Sequence, residues 1–152
     1  MELDYNVRDR NEGFEPGPVL TKDDVSRRVD DWLKRLRDLF AVTTEWALKN
    51  GWTVGDVGST PMNEELMQHF GIAARDQPVL RLDKAAESYA LFKPKALWVI
   101  GANGRIDLYT SKGVFIIIDQ ADKYEQPRWT LFRGSNKKEG DRFSPELILS
   151  LV

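Results

Sequence analysis

Apolar positions recur at alternating steps of four and three along the first third of the chain: Val25, Val29, Trp32, Leu36 and Leu39, continued by Thr43 and Trp46. That spacing lays one stripe along an α-helix. Leu33, Phe40 and Ala47 widen the stripe. Thr21 is the expected N-cap, and Asp23 and Asp24 in the first turn face the positive end of the helix dipole. Asn50-Gly51 supplies a stop. The pattern therefore predicts a helix over 22–50, roughly 42 Å long at about 1.5 Å per residue. The stripe has two uses. Laid across a sheet, it forms half of a core. Left bare, it is a seam for another subunit. Three heptads are short for a free coiled coil, and Trp32 and Trp46 at seam positions fit a dimer poorly, so the core reading is favoured. The excess length leaves room for a partner contact at one end, a homodimer through helix 22–50 included.

After a Gly-rich turn region over 52–60, Thr60-Pro61 is expected to open a short second helix. Leu66, Met67 and Phe70 give it an apolar face, and Gly71 ends it. From residue 78 the period changes to that of extended chain. Strands are expected over 79–82, 88–92, 96–100, 105–111, 114–119 and 128–133, with Ala102-Asn103-Gly104 and Lys112-Gly113 as tight turns. Val114-Phe115-Ile116-Ile117-Ile118 is apolar on both faces and predicts a central strand covered on each side. Residues 134–143 read as a polar loop. Ser144, Pro145 and Glu146 then start a C-terminal helix.

Helices first and a meander afterwards predict an α+β fold, an antiparallel β-meander of four to six strands with the long N-terminal helix packed on it. The expected organisation is one α+β domain over 21–152, since neither half alone has enough apolar surface. It is preceded by an extended or partly disordered arm over 1–20. In that arm Leu3, Tyr5 and Val7 alternate with polar residues, and Glu12-Gly13-Phe14-Glu15-Pro16-Gly17-Pro18 breaks regular structure. The arm is expected either to be disordered alone or to wrap over the domain.

Composition narrows the chemistry. The 152 residues contain no Cys and one His, which removes thiol chemistry, disulfides and any site with two His ligands. Charged Met1–Asn11 does not read as a signal peptide, and the longest apolar run is too short to span a membrane. A soluble, cytoplasmic chain without a cofactor is expected. The net charge of −2 is uneven: residues 1–83 carry a net −5 and residues 84–142 a net +4. The two halves either neutralise each other in the fold or present a basic face to an anionic partner.

Candidate chemistry is sparse. His69 has neither a Cys nor a nucleophile-elbow Ser to serve, and it reads as a surface or structural residue. Asp107, Asp119, Asp122 and Glu125 offer carboxylates for a metal-dependent hydrolase. The Lys such a site wants two residues after Asp119 is Ala121, so the spacing fails. Gly101-Ala102-Asn103-Gly104 lacks the third Gly and the following helix of a phosphate loop. A helix-turn-helix ending near Ile72 meets Pro78 before a recognition helix can form. No catalytic residue and no metal ligand is assigned.

Two binding readings remain. Five Trp residues, the overlong helix and the arm favour a non-enzymatic protein that works by protein–protein contact, of the inhibitor or immunity type or an accessory subunit. Trp32, Trp46 and Trp52 are its candidate contacts, with Trp52 in its Gly-rich turn expected to be the most reachable. The alternative is a nucleic-acid-binding accessory domain. It would use Lys93, Lys95, Arg105, Arg128, Arg133, Lys137 and Lys138 for phosphates and Phe92, Trp98, Trp129 and Phe132 for stacking.

Overall fold

The computed structural model describes residues 19–85, 87–99, 101–134 and 140–152. The expected arm falls almost wholly outside them, as do Lys137 and Lys138; of 1–20 only Val19 and Leu20 are described, both exposed. The architecture is α+β. Helix α1 (Lys22–Lys49) is followed by strands β1 (Thr53–Gly55) and β2 (Ser59–Met62), helix α2 (Glu65–His69), and strands β3 (Arg75–Pro78), β4 (Leu80–Asp83), β5 (Tyr89–Ala96), β6 (Arg105–Thr110), β7 (Gly113–Asp119), β8 (Trp129–Arg133) and β9 (Asp141–Arg142). A C-terminal 3₁₀ helix spans Pro145–Ser150. Strands β4 to β9 lie side by side in chain order, all antiparallel, with β1 added beside β4; β2 and β3 form a separate hairpin.

Helix α1 starts where its cap chemistry says it should. Thr21 Oγ1 accepts from the Asp24 N–H, and the Asp24 carboxylate accepts from the Thr21 N–H at 2.9 Å, a reciprocal capping box. The four-three stripe is inward as far as Thr43: Val25, Val29, Trp32, Leu36, Leu39 and Thr43 are buried, and Trp46 at its end is half-buried. It packs on one face of the sheet, with Phe40 edge-on to Phe92 of β5 at 5.9 Å and Trp32 beside Trp129 of β8 at 6.0 Å. The sheet curls round this helix. Phe92 and Phe143, which follows β9, have ring centroids 6.0 Å apart. Four strand spacings in a flat sheet would separate their strands by about 19 Å.

Several local expectations are corrected. Trp32, a candidate contact, is 0% exposed, in the core where the favoured reading of the stripe puts it. Trp52 is 3% exposed rather than reachable. Gly51 adopts φ 82° and the Trp52 N–H bonds to the Ala47 carbonyl at 2.9 Å, which folds the indole back against Trp46. Thr60 and Pro61 do not open a helix; they pair with Gln77 and Asp76 of β3, a strand the pattern missed because Arg75-Asp76-Gln77-Pro78 has no apolar alternation.

Of the strand expected over 96–100, residues 97–99 lie outside the strands, and Ile100 lies outside the described residues. Strand β5 runs on to Ala96, which pairs with Arg105, and a loop over 97–104 joins it to β6. The Glu64 carboxylate accepts from the Leu97 and Trp98 N–H groups at 2.7 and 3.2 Å and so ends the ladder there. Strand β7 is central in its pairing, between β6 and β8, but its outward side chains are not fully buried. Ile117 is buried, whereas Ile116 and Ile118 are half-buried and Val114 is 54% exposed.

Charge also reaches the core. Arg35, on the buried side of α1, donates from Nη1 to Asp119 Oδ2 at 2.6 Å, from Nε to Asp31 at 2.6 Å and from Nη2 to the Glu125 carbonyl. Asp119 ends β7 and is fully buried; its other oxygen accepts from the N–H groups of Ala121 and Arg128. Each partner of the pair makes three hydrogen bonds, the kind of compensation under which a buried ion pair is tolerated.

Trp32 also sets a steric limit. Its Nε1–H donates to Gln77 Oε1 at 2.9 Å, and its ring lies directly over Gly104. Gly104 holds φ 121°, and a Cβ there would overlap the indole. Gly104→Ala is therefore expected to destabilise the protein by at least about 2 kcal/mol in urea unfolding, through strain and overpacking together. Gly101→Ala carries a comparable positive φ (78°) but meets open space, and it is expected to cost less.

Candidate functional site

The two faces of the curled sheet differ in chemistry. The inner face, against α1, is mostly apolar, with Asp119 and Thr110 as buried polar residues. The outer face is built by the alternate residues. In register across β5, β6 and β7 run Leu91, Tyr109 and Val114, then Lys93, Asp107 and Ile116. Arg105 pairs with Ile118, and on β8 Phe132 and Thr130 stand opposite Ile116 and Ile118. Leu91, Tyr109, Ile116 and Ile118 are half-buried and Val114 is exposed. Phe132 and Thr130 are buried beneath the Gly140 backbone, which lies so close that a Cβ on Gly140 would overlap both. The result is an apolar strip, edged by charge.

That charge is largely paired. Arg105 Nε donates to Asp107 Oδ1 at 2.8 Å. Arg133 sits 3.3 Å from Asp141, and Arg81 bonds Asp83 while stacking over Tyr89 at 4.8 Å. Arg128 donates to the Gln120 carbonyl. Lys93 on β5 and Lys95 at its bulge are exposed beside Leu91. The structure thus scatters the predicted phosphate-binding set. Arg105 and Arg133 each face a carboxylate, and Phe92, Trp129 and Phe132 are buried and unavailable for stacking. Trp98 is the one of the four stackers that keeps partial exposure.

Asp107 and Asp119, the strand carboxylates considered for metal, lie on opposite faces of the sheet, each with an arginine partner. They cannot hold one ion. Among the described residues no three or more His, Asp or Glu gather as a metal-binding group. His69 stacks edge-on to Phe70 at 4.9 Å. Of the Trp set, Trp46 is half-buried and stacked on Trp52 at 6.1 Å, at the far end of α1. The Trp52 Nε1–H is buried without an acceptor.

A second feature lies on the helical side, at the N-terminal end of α1. A cavity of about 480 Å³ is lined by the apolar residues Leu20, Val25, Leu66 and Trp98 and by Asp24, Arg27, Arg28, Lys123 and Tyr124. It adjoins a cavity of about 660 Å³ that shares Leu66 and Trp98 and adds Glu64, Glu65 and His69. Arg28 Nη2 donates to Asn103 Oδ1, and the Asn103 amide donates to the Ala121 carbonyl at 2.6 Å. Arg27 lies over the Tyr124 ring at 4.2 Å. Tyr124 holds φ 67°, a left-handed conformation costly for a bulky residue and most often kept where a site needs it. None of Arg27, Arg28, Lys123, Asn103 or Tyr124 was singled out as a binding residue by pattern. They converge from a helix and two loops, and only the fold brings them together.

Comparison with known proteins gives no match to a family model, to a curated protein or to a solved structure.

The capping box gives the cleft rim a pH signature. The Thr21 N–H, the Thr21 hydroxyl and the nearby charges of Lys123 and Arg27 hold the Asp24 carboxyl below its ordinary 3.8. A depressed folded value means that the stabilisation is fully present above the ordinary value and is lost as pH falls through the depressed one. A carbonyl-detected NMR titration is expected to place the Asp24 midpoint below 3.8, and Thr21→Ala to move it upward. An unchanged midpoint in Thr21→Ala, which keeps the backbone N–H, would show that the Thr21 hydroxyl does not help to set it.

Proposed function

We propose that this is a non-enzymatic binding protein that acts by protein–protein contact, of the inhibitor or immunity type or an accessory subunit, and that its contact surface is the outer face of the sheet. The observation that carries this reading is the strip Leu91–Tyr109–Val114–Ile116–Ile118, which is left half-open on a rigid sheet. Contiguous apolar surface with a charged border is the usual mark of a protein-contact site. Five-residue apolar runs are costly to expose on a strand, because they invite association. Strand β7 keeps the outward half of one nonetheless, with Val114 exposed and Ile116 and Ile118 half-buried.

The partner is a protein that presents an apolar ridge flanked by carboxylates, which would meet Lys93 and Lys95. Nucleic acid is the second reading and is less well served. The aromatics it needs are mostly buried, and two of its arginines already face carboxylates.

The test places a photo-crosslinking amino acid at Val114 in the producing cell. One discrete adduct to a second protein species is expected. Ile116→Asp is expected to leave the circular dichroism spectrum unchanged and to weaken binding of the purified partner at least about tenfold, as for a hot-spot residue. Lys93→Glu with Lys95→Glu is expected to weaken it further. Adducts to nucleic acid, adducts only to a second copy, or binding indifferent to Ile116→Asp would overturn the reading.

A further inference from the structure

The cavity of about 480 Å³ at the start of α1 has three cations in its lining, Arg27, Arg28 and Lys123, together with Leu66 and Trp98. Asp24 is the carboxylate of that lining, and it already accepts from the Thr21 N–H at 2.9 Å. Two of the cations are held in place by neutral groups. Arg28 Nη2 donates to Asn103 Oδ1 at 3.1 Å. Asn103 is itself buried and fixed at both ends: its backbone N–H bonds to the Asp119 carbonyl at 2.9 Å, and its side-chain amide to the Ala121 carbonyl at 2.6 Å. Arg27 lies 4.2 Å from the centre of the Tyr124 ring, and Tyr124 keeps its left-handed backbone at φ 67°. A neutral partner orients a guanidinium without cancelling its charge. Donors fixed in this way lose less conformational entropy when a ligand arrives.

We propose that this cavity binds a small organic monoanion, a carboxylate carried on an apolar body. The planar fork of a guanidinium matches a carboxylate, and a nearby ammonium adds a second charge-assisted donor. The volume falls within the range of small-molecule pockets, about 300–1,000 Å³. Leu66 and Trp98 also line the adjoining cavity of about 660 Å³, so an apolar body anchored in the first can extend into the second. Glu64 and Glu65 line that second cavity. A second anionic group on the ligand would be repelled there, which is why one charge is preferred to two. Glu64 also accepts from the Leu97 and Trp98 N–H groups, so it fixes the backbone of the residue that the two cavities share. None of these residues belongs to the outer strip of the sheet, and the site stands or falls independently of the proposed partner surface.

The test titrates the isotope-labelled full chain by NMR with three probes of one chain length: octanoate, the uncharged octanamide and the dianion octanedioate. Octanoate is expected to shift the Trp98 indole and Leu66 methyl resonances in a single saturable step. Octanamide is expected to bind at least about tenfold more weakly, for want of the charge-assisted hydrogen bonds, and octanedioate at least about threefold more weakly, through repulsion. Arg28→Gln with Lys123→Gln is expected to weaken octanoate at least about tenfold. Lys49→Gln with Lys112→Gln removes the same formal charge from outside the lining and is expected to change the affinity by less than about twofold, since distant exposed charges are screened. The comparison of probes on the unaltered chain decides the matter even if a variant fails to fold. Absence of saturation, octanamide or octanedioate binding as tightly as octanoate, shifts confined to residues outside the two cavities, or equal losses in the two double variants would overturn the proposal.

Discussion

The buried pair between Arg35 and Asp119 is the constraint on which the rest of the structure depends. A guanidinium at 4% exposure and a carboxylate at 0% are tolerable only if they are paired and hydrogen-bonded, and here each makes three hydrogen bonds. The pair fixes one point of α1 against the end of β7. Through Asp119 Oδ1 it also fixes the start of the 120–128 loop and the entry to β8. Through the Asp119 backbone it fixes the 97–104 loop, since the Asn103 N–H bonds to the Asp119 carbonyl and the Asp119 N–H to the Gly104 carbonyl. The cleft is walled by these two loops. Apolar contacts alone would let α1 slide along a curled sheet at modest cost, because the four-three stripe nearly repeats itself after seven residues. The ion pair has one register.

Seen from that pair, the two faces of the sheet have separate duties. The inner face is occupied by α1, whose stripe from Val25 to Thr43 is buried against it. The outer face carries what the fold does not need for itself. Val114, Ile116 and Ile118 are there because β7 is apolar on both sides, and the core takes only Phe115 and Ile117 from its apolar run. Paired charges such as Arg105–Asp107 punctuate the strip without closing it. This division is why the functional proposal rests on the sheet rather than on the tryptophans.

The parts of the fold that depend on period were legible in the chain. The stripe from Val25 to Trp46, the capping residues Thr21 and Asp24 and the alternation through β6 to β8 are local signals, and the structure keeps them. The parts that depend on long-range partners were not. Arg35 reads as a solvated helix position until Asp119, 84 residues away, is seen to meet it. Asp119 reads as a strand terminator or a possible metal ligand for the same reason. Trp52 reads as exposed because turn composition says nothing of which way Gly51 sends the chain. The β2–β3 hairpin carries almost no apolar alternation, and the 97–104 loop hides behind residues that favour strands. The cleft gathers α1, α2 and two loops, a convergence that no window along the sequence contains.

A double-mutant cycle in urea tests the central claim most directly. Arg35→Met and Asp119→Leu are each expected to cost about 3–5 kcal/mol, because each strands a buried charge. The double variant is expected to lose far less than the sum, with a coupling of at least about 2 kcal/mol. Additive losses, with no coupling between the two positions, would contradict the account: α1 would then be held in place by apolar packing alone.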